Sequence, residues 1–174
     1  FEAAPDSVSV DAVDEAGVRV RVTARFLIDA SGRGNLTGNQ EGIRVPNPKL
    51  KKLAVFGHFS GVGLDDGDRA GDTVIVRLEN KWFWIIPLSR NGANDKVSVG
   101  LVMDRDEYAA SRQSPEEVFN RWVNHSPPMR ERLRAAKAVT PHHVTSDFSY
   151  RNRTFFGPRR VRVGDAAGFI DPIF

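Results

Sequence analysis

Residues 82–87, Trp82-Phe83-Trp84-Ile85-Ile86-Pro87, are apolar at every position. A strand sends successive side chains to opposite faces, so Trp82, Trp84 and Ile86 share one face and Phe83 and Ile85 the other. A sheet built around this strand must bury one face in a core and turn the other toward a second layer or a cavity. Its neighbours in sequence read as strands at 53–59, 73–78 and 96–102. They are separated by polar turn chemistry at 65–72, 79–81 and 90–95. The middle of the chain is therefore expected to be an antiparallel meander with an aromatic strand inside it.

Residues 103–113 are polar and read as a loop. Ser114-Pro115-Glu116-Glu117 then starts a helix: Ser114 caps it, Pro115 suits its first turn and Glu117 completes a capping box. Val118, Phe119, Trp122 and Val123 fall on one face of that helix, so Trp122 reads as packing. Ser126-Pro127-Pro128 ends it and opens a second helix with Met129, Leu133 and Ala136 as its apolar stripe. His142 and His143 are adjacent, so on a strand they point to opposite faces and do not form a metal pair. No metal site is expected.

Before the meander, residues 8–13 and 18–23 alternate apolar with polar around Asp14-Glu15-Ala16-Gly17, a β-hairpin pattern. Phe26-Leu27-Ile28 follows and reads as a short strand buried on both faces, as in a parallel sheet. It runs into Asp29-Ala30-Ser31-Gly32-Arg33-Gly34. From Gln40 to Lys52 the pattern is lost and Pro46 and Pro48 oppose regular structure; this reads as a linker or as a loop over a substrate. Residues 144–150 read as a strand leading back toward the first segment.

The chain closes on Arg160-Val161-Arg162-Val163-Gly164-Asp165-Ala166-Ala167-Gly168-Phe169-Ile170-Asp171-Pro172-Ile173-Phe174. Val161 and Val163 alternate with arginines, which suits a strand with its valines buried. Gly164 permits a sharp turn, and Asp165 offers acceptors to the hydroxyls of a sugar or ribitol. Ala166, Ala167 and Gly168 allow close backbone approach, and a helix beginning there would aim free N–H groups at an anion.

This last motif resembles the second FAD motif of flavin monooxygenases and, in its extended form, that of flavin-dependent halogenases. Ala30-Ser31-Gly32-Arg33 is similar to a second segment that lies beside the cofactor in FAD enzymes with a split Rossmann domain. Residues 82–87 fit Trp-x-Trp-x-Ile-Pro, a signature of the halogenases. The resemblance implies a mixed α/β fold, in which segments of a Rossmann-like FAD-binding domain (1–39 and 149–174) flank an antiparallel-sheet substrate domain with one or two helices (40–148). It implies FAD held by Ala30, Ser31, Gly32, Arg33, Gly164, Asp165, Ala166, Gly168 and Pro172. Trp82, Trp84, Ile86, Pro87 and Phe174 would line a path for substrate and halide. Reduced FAD from a separate flavin reductase, oxygen and a halide would then halogenate an electron-rich aromatic substrate, free or carrier-tethered. An FAD monooxygenase, or a reductase of the geranylgeranyl type, is the alternative with the same fold. Two family parts, the Gly-x-Gly-x-x-Gly pyrophosphate loop and the halogenase lysine, have no match here. The chain is accordingly expected to be an internal segment of a longer enzyme, inactive by itself, and no catalytic residue is assigned.

Composition bounds the partners. The formal charge is only +3, and the basic residues are dispersed rather than interleaved with aromatics, so nucleic acid is not expected. No apolar run is long enough to span a membrane. The lack of cysteine excludes disulfides and thiolate metal sites and fits a cytoplasmic protein.

Overall fold

The computed structural model describes residues 1–89, 96–146 and 149–170. The chain divides into two compact units, one formed by Phe1–Leu50 with Phe148–Phe174 and the other by Lys51–Asp147. The first division therefore falls after Leu50, about ten residues beyond the expected boundary at 39. Among the described residues no helix is long and apolar enough to cross a membrane.

The first unit begins with β1 (Glu2–Ala3), β2 (Val8–Val13) and β3 (Arg19–Ala24), an antiparallel sheet in that order. The hairpin between β2 and β3 turns where expected, with Asp14 accepting from the amides of Ala16 and Val18. β4 (Leu27–Asp29), α1 (Leu36–Gln40) and β5 (Arg44–Pro46) follow.

The second unit is a six-stranded antiparallel sheet. Its strands are β6 (Lys52–Ser60), β7 (Val74–Leu78), β8 (Lys81–Ser89), β9 (Lys96–Asp104), β10 (Lys137–Ala138) and β11 (His143–Ser146). They lie in the order β10, β6, β9, β8, β7, and β11 pairs with β6. Residues 90–95, read as a turn, lie outside the described residues. Three helices, α2 (Arg105–Ser111), α3 (Pro115–His125) and α4 (Pro127–Leu133), complete this unit. Its core joins Leu53, Val55 and Phe59 of β6, Phe83 and Ile85 of β8, and the odd-numbered residues of β9 to Val118 and Phe119 of α3 and Met129 of α4. α3 starts on the capping box read from sequence: Ser114 Oγ accepts from Glu117 N at 3.3 Å, and Glu117 accepts from Ser114 N at 2.8 Å. Ala136 packs on this core although α4 ends at Leu133.

The chain then returns to the first unit through β12 (Tyr150–Asn152), β13 (Phe156–Gly157), β14 (Arg160–Arg162) and β15 (Gly168–Phe169). β14 lies parallel to β4 and antiparallel to β13, while β12 is flanked by β15 and β5.

Five expectations are corrected. Residues 105–111 form a helix rather than a loop. Acids at Asp106 and Glu107 suit its first turn, Tyr108 packs on the core, and Arg112 closes it in the left-handed region at φ 53°. Residues 40–52 contain β5, in which Pro46 occupies the last position, where a missing N–H is tolerated. β4 is not buried on both faces, since Phe26 and Ile28 are exposed and Asp29 is buried. In β14 the sides are inverted: Val161 and Val163 are exposed, while Arg162 is buried and both Arg160 and Arg162 form ion pairs with Glu41. After Gly164 a 3-10 turn (Gly164–Ala166) leads into the strand β15, so no helix begins at Ala167 or Gly168.

Candidate functional site

In the first unit, β4 delivers the chain into the loop 30–35 through a buried carboxylate. Asp29 accepts from Ser31 N at 3.0 Å, Thr37 N at 2.9 Å and Thr37 Oγ1 at 2.5 Å. Burial by itself would raise the pKa of Asp29. The hydrogen bonds from Ser31 and Thr37 outweigh burial and hold it at about 2. Asp29 thus ties the loop to the first turn of α1. Ser31 adds a second tie, since its Oγ accepts from Leu36 N at 3.1 Å. Between these ties Gly32 sits at φ 60° and Asn35 at φ 43°, a region that side chains with a Cβ adopt reluctantly.

The second loop leaves β14 through Gly164 at φ 57°. Asp165 follows, half-buried, and its backbone oxygen accepts from the Tyr150 hydroxyl at 2.5 Å. The Tyr150 ring is itself covered by the Arg44 guanidinium at 4.0 Å from its centroid. Ala166 is fully buried. Gly168 answers to space: a Cβ there would lie 3.0 Å from Tyr150 O and 3.1 Å from Arg151 Cα, because β15 runs against β12.

The two loops, more than a hundred residues apart in sequence, lie side by side. β4 and β14 are parallel neighbours with Asp29 opposite Arg162, and Val163 N donates to Asp29 O at 3.0 Å. The 3-10 turns at Gly32–Gly34 and Gly164–Ala166 pack together. A reciprocal amide pair pins them. Asn35 Nδ2 donates to Asn152 Oδ1 at 3.0 Å, and Asn152 Nδ2 donates back to Asn35 Oδ1 at 2.9 Å and to Ala166 O at 2.7 Å. Both asparagines are fully buried. Gly38 makes room for the pair, since a Cβ there would lie 2.1 Å from Asn35 Oδ1.

Of the residues singled out from sequence, Ala30, Ser31, Gly32 and Arg33 are thus brought together with Gly164, Asp165, Ala166 and Gly168. Pro172 lies outside the described residues. At Gly32 and Gly164 nothing stands within 4 Å of where a Cβ would be. The two turns therefore leave open space above exposed backbone, with a half-buried carboxylate at Asp165. That combination of open glycine backbone and one acceptor fits the hydroxyl-bearing chain of a flavin dinucleotide. Next to β15, a cavity of about 280 Å³ is lined by Val45, Pro46, Tyr150, Phe169 and Ile170. Sequence reading missed Asn35, Gly38 and Asn152. Asp29 carried a local signal, because an aspartate two residues before a serine is a common side-chain-to-backbone turn.

In the second unit the aromatic strand divides as its period requires. Phe83 and Ile85 are fully buried in the core against α3. Trp82, Trp84 and Ile86 lie on the opposite face, the first buried and the other two half-buried. Trp82 and Trp84 are 6.0 Å apart between ring centroids, and Trp84 lies 5.9 Å from Phe56. Trp84 rests on Gly100, where a Cβ would come within 2.2 Å of its indole, and its Nε1 donates to Ser98 Oγ at 3.0 Å. Pro87 is half-buried, and Phe174 lies outside the described residues. His142 and His143 diverge: His142 packs 4.8 Å from Phe119 in the core, and His143 packs 5.6 Å from Phe56 on the other face.

No family model matches the chain. It is similar to a chlorinase of 1H-pyrrole-2-carbonyl-(peptidyl-carrier protein) from Pseudomonas fluorescens, at 31% identity over 98% of this chain and 38% of the relative. It is 32% identical to a tetracycline 7-halogenase from Kitasatospora aureofaciens, over 92% of this chain and 33% of that protein. Among solved structures, the myxobacterial chondrochloren halogenase CndH, described as a variant of the FAD-dependent halogenases, superposes with a TM-score of 0.85. It is 30% identical and covers all of this chain, which in turn covers 40% of it. The chain thus spans less than two fifths of the curated relatives it matches.

Proposed function

Because this chain belongs to the flavin-dependent halogenases, we propose that it supplies part of the FAD site and the aromatic substrate face of an enzyme that halogenates an electron-rich aromatic substrate. The enzyme would use reduced FAD, oxygen and a halide. The observation that carries this reading is the pinning of two sequence-distant glycine turns into one open edge. On this reading Asp165 accepts hydrogen bonds from the ribityl hydroxyls of FAD. Gly164, Ala166 and Gly168, with Ala30, Ser31, Gly32 and Arg33, let the cofactor approach the backbone. FAD supplies the redox chemistry when bound, and the protein supplies binding, orientation and exclusion of water.

On the same reading Trp82, Trp84, Ile86 and Pro87 line the path of substrate and halide. Large apolar rings there keep water away from the reactive halogen and hold an arene flat. The substrate is free or carrier-tethered, a separate reductase delivers the reduced flavin, and the enzyme works in the cytoplasm. The test is turnover by the full-length enzyme with reduced FAD, oxygen and bromide over a panel of phenols, pyrroles and indoles. Products that carry a bromine isotope doublet in the mass spectrum are expected. An arene returned unchanged across the panel, under conditions where FAD is bound and reoxidised, would overturn the reading.

A further inference from the structure

The sheet register gives the aromatic face of the second unit a chemistry beyond its tryptophans. On β6 the side chains sharing that face are Lys52, Ala54, Phe56, His58 and Ser60; on β9 they are Lys96, Ser98, Gly100, Val102 and Asp104. His58 stands opposite Ser98, and Ser98 stands opposite Ile86 of β8. Phe56 stands opposite Gly100, on which Trp84 rests, and His143 of β11 is registered with Phe56 on the other side. Lys96 is two residues from Ser98 and so lies on the same face, diagonal to His58. Arg77 of β7, opposite Trp82 and in line with Val102, lies at the other end of the face from Lys96.

The unpaired charges among the described strand residues of this face are basic. Lys52, Arg77 and Lys96 are cationic, and His58 and His143 are N–H donors. Among the described strand residues the only carboxylate on the face is Asp104, which pairs with Lys52 at 2.8 Å and so leaves no acid beside the aromatic row. Burial, with Lys96 and His143 close by, pushes the His58 imidazole below its ordinary pKa, so at neutral pH it offers a single N–H and leaves the charge to the lysine. Phe56, His58, Trp84, Lys96 and Ser98 are all half-buried. An arene stacked on Phe56 and Trp84 would therefore place its ring substituents near His58, Ser98 and Lys96.

We infer that this face selects an aromatic substrate bearing an anionic group, such as a carboxylate, with the ring on Phe56 and Trp84 and the anion toward His58, Ser98 and Lys96. The inference rests on the reading of this face as the substrate face. It makes His58 and Lys96 specificity-determining rather than catalytic. Lys96 attracts the anion, His58 and Ser98 give it directed donors, and a cationic or neutral arene gains from neither.

The test uses the full-length enzyme, with its tryptophans labelled with 15N, and follows the indole Nε1–H signal of Trp84, which reports on its bond to Ser98. The ligands are 4-hydroxybenzoate and its methyl ester, which share a ring and differ in charge. The acid is expected to move the Trp84 signal and to bind at least tenfold more tightly than the ester. K96Q, and separately H58Q, should erase that preference while the ester binds as before; K96Q alters a half-exposed position and keeps the test open if H58Q folds poorly. If acid and ester move the signal equally, the inference fails and the substrate face stands. If neither ligand moves it, both fail.

Discussion

At the scale of single residues, the two glycine turns rest on buried side chains. Asn152 is the clearest. Its amide satisfies Asn35 Oδ1, Asn35 Nδ2 and Ala166 O at once. Truncation would orphan all three inside a fully buried space, and an unmet buried donor or acceptor costs about 1–3 kcal/mol. N152A should destabilise the chain by about 2–4 kcal/mol in urea unfolding. A loss below about 0.5 kcal/mol, the range of ordinary surface changes, would show that the pair is not a pin. Asp29 makes a second prediction. Its carboxyl is held at about 2 against an ordinary 3.8. A carboxyl depressed by folding contributes stability that is present above its unfolded value and is lost as pH falls through its folded value. The chain should therefore lose stability between about pH 4 and pH 2, and D29N should flatten that limb in acid unfolding followed by circular dichroism. What was legible at this scale was the local chemistry: the turn glycines Gly32 and Gly164 and the Ser114 cap. Asn35 and Asn152 were not, because a pair separated by 117 residues leaves no trace in either neighbourhood.

At the scale of elements, alternation located the strands but in one case assigned the wrong side. β14 reads valine in, arginine out, and folds the other way round. The reason is Glu41, at the end of α1, whose carboxylate takes both Arg160 and Arg162. Period-2 patterning shows that two faces differ and leaves open which one is buried. A distant carboxylate decides it by making the burial of arginine affordable. Removing one partner of a buried pair leaves an uncompensated charge and typically costs 3–5 kcal/mol. E41A should lower stability by roughly that amount, whereas E116A, at the exposed start of α3, should change it by less than about 0.5 kcal/mol. Equal effects in thermal unfolding would mean the ion pairs do not anchor β14. The helix α2 was missed because its polar residues satisfy no long apolar period, and only Tyr108 of this short element packs on the core. α3 was legible from its capping box and its buried stripe, two signals that are both local.

At the scale of the whole molecule, the sequence motifs predict which distant segments share a unit. The opening hairpin, β4 and the closing β14 come back together in one compact unit, with the meander and its three helices in the other. Both junctions end in glycine turns that lie in that unit. The position of the division was less readable: Pro46 argued against regular structure, yet as the last residue of β5 it pairs with Tyr150 and keeps residues 44–46 in the first unit. The central claim, that these units serve halogenation rather than hydroxylation, is tested most directly by one reaction of the full-length enzyme with chemically reduced FAD, 18O₂, bromide and a phenolic substrate. The account predicts a product that gains bromine and no 18O. A product that gains 18O and no bromine would contradict it.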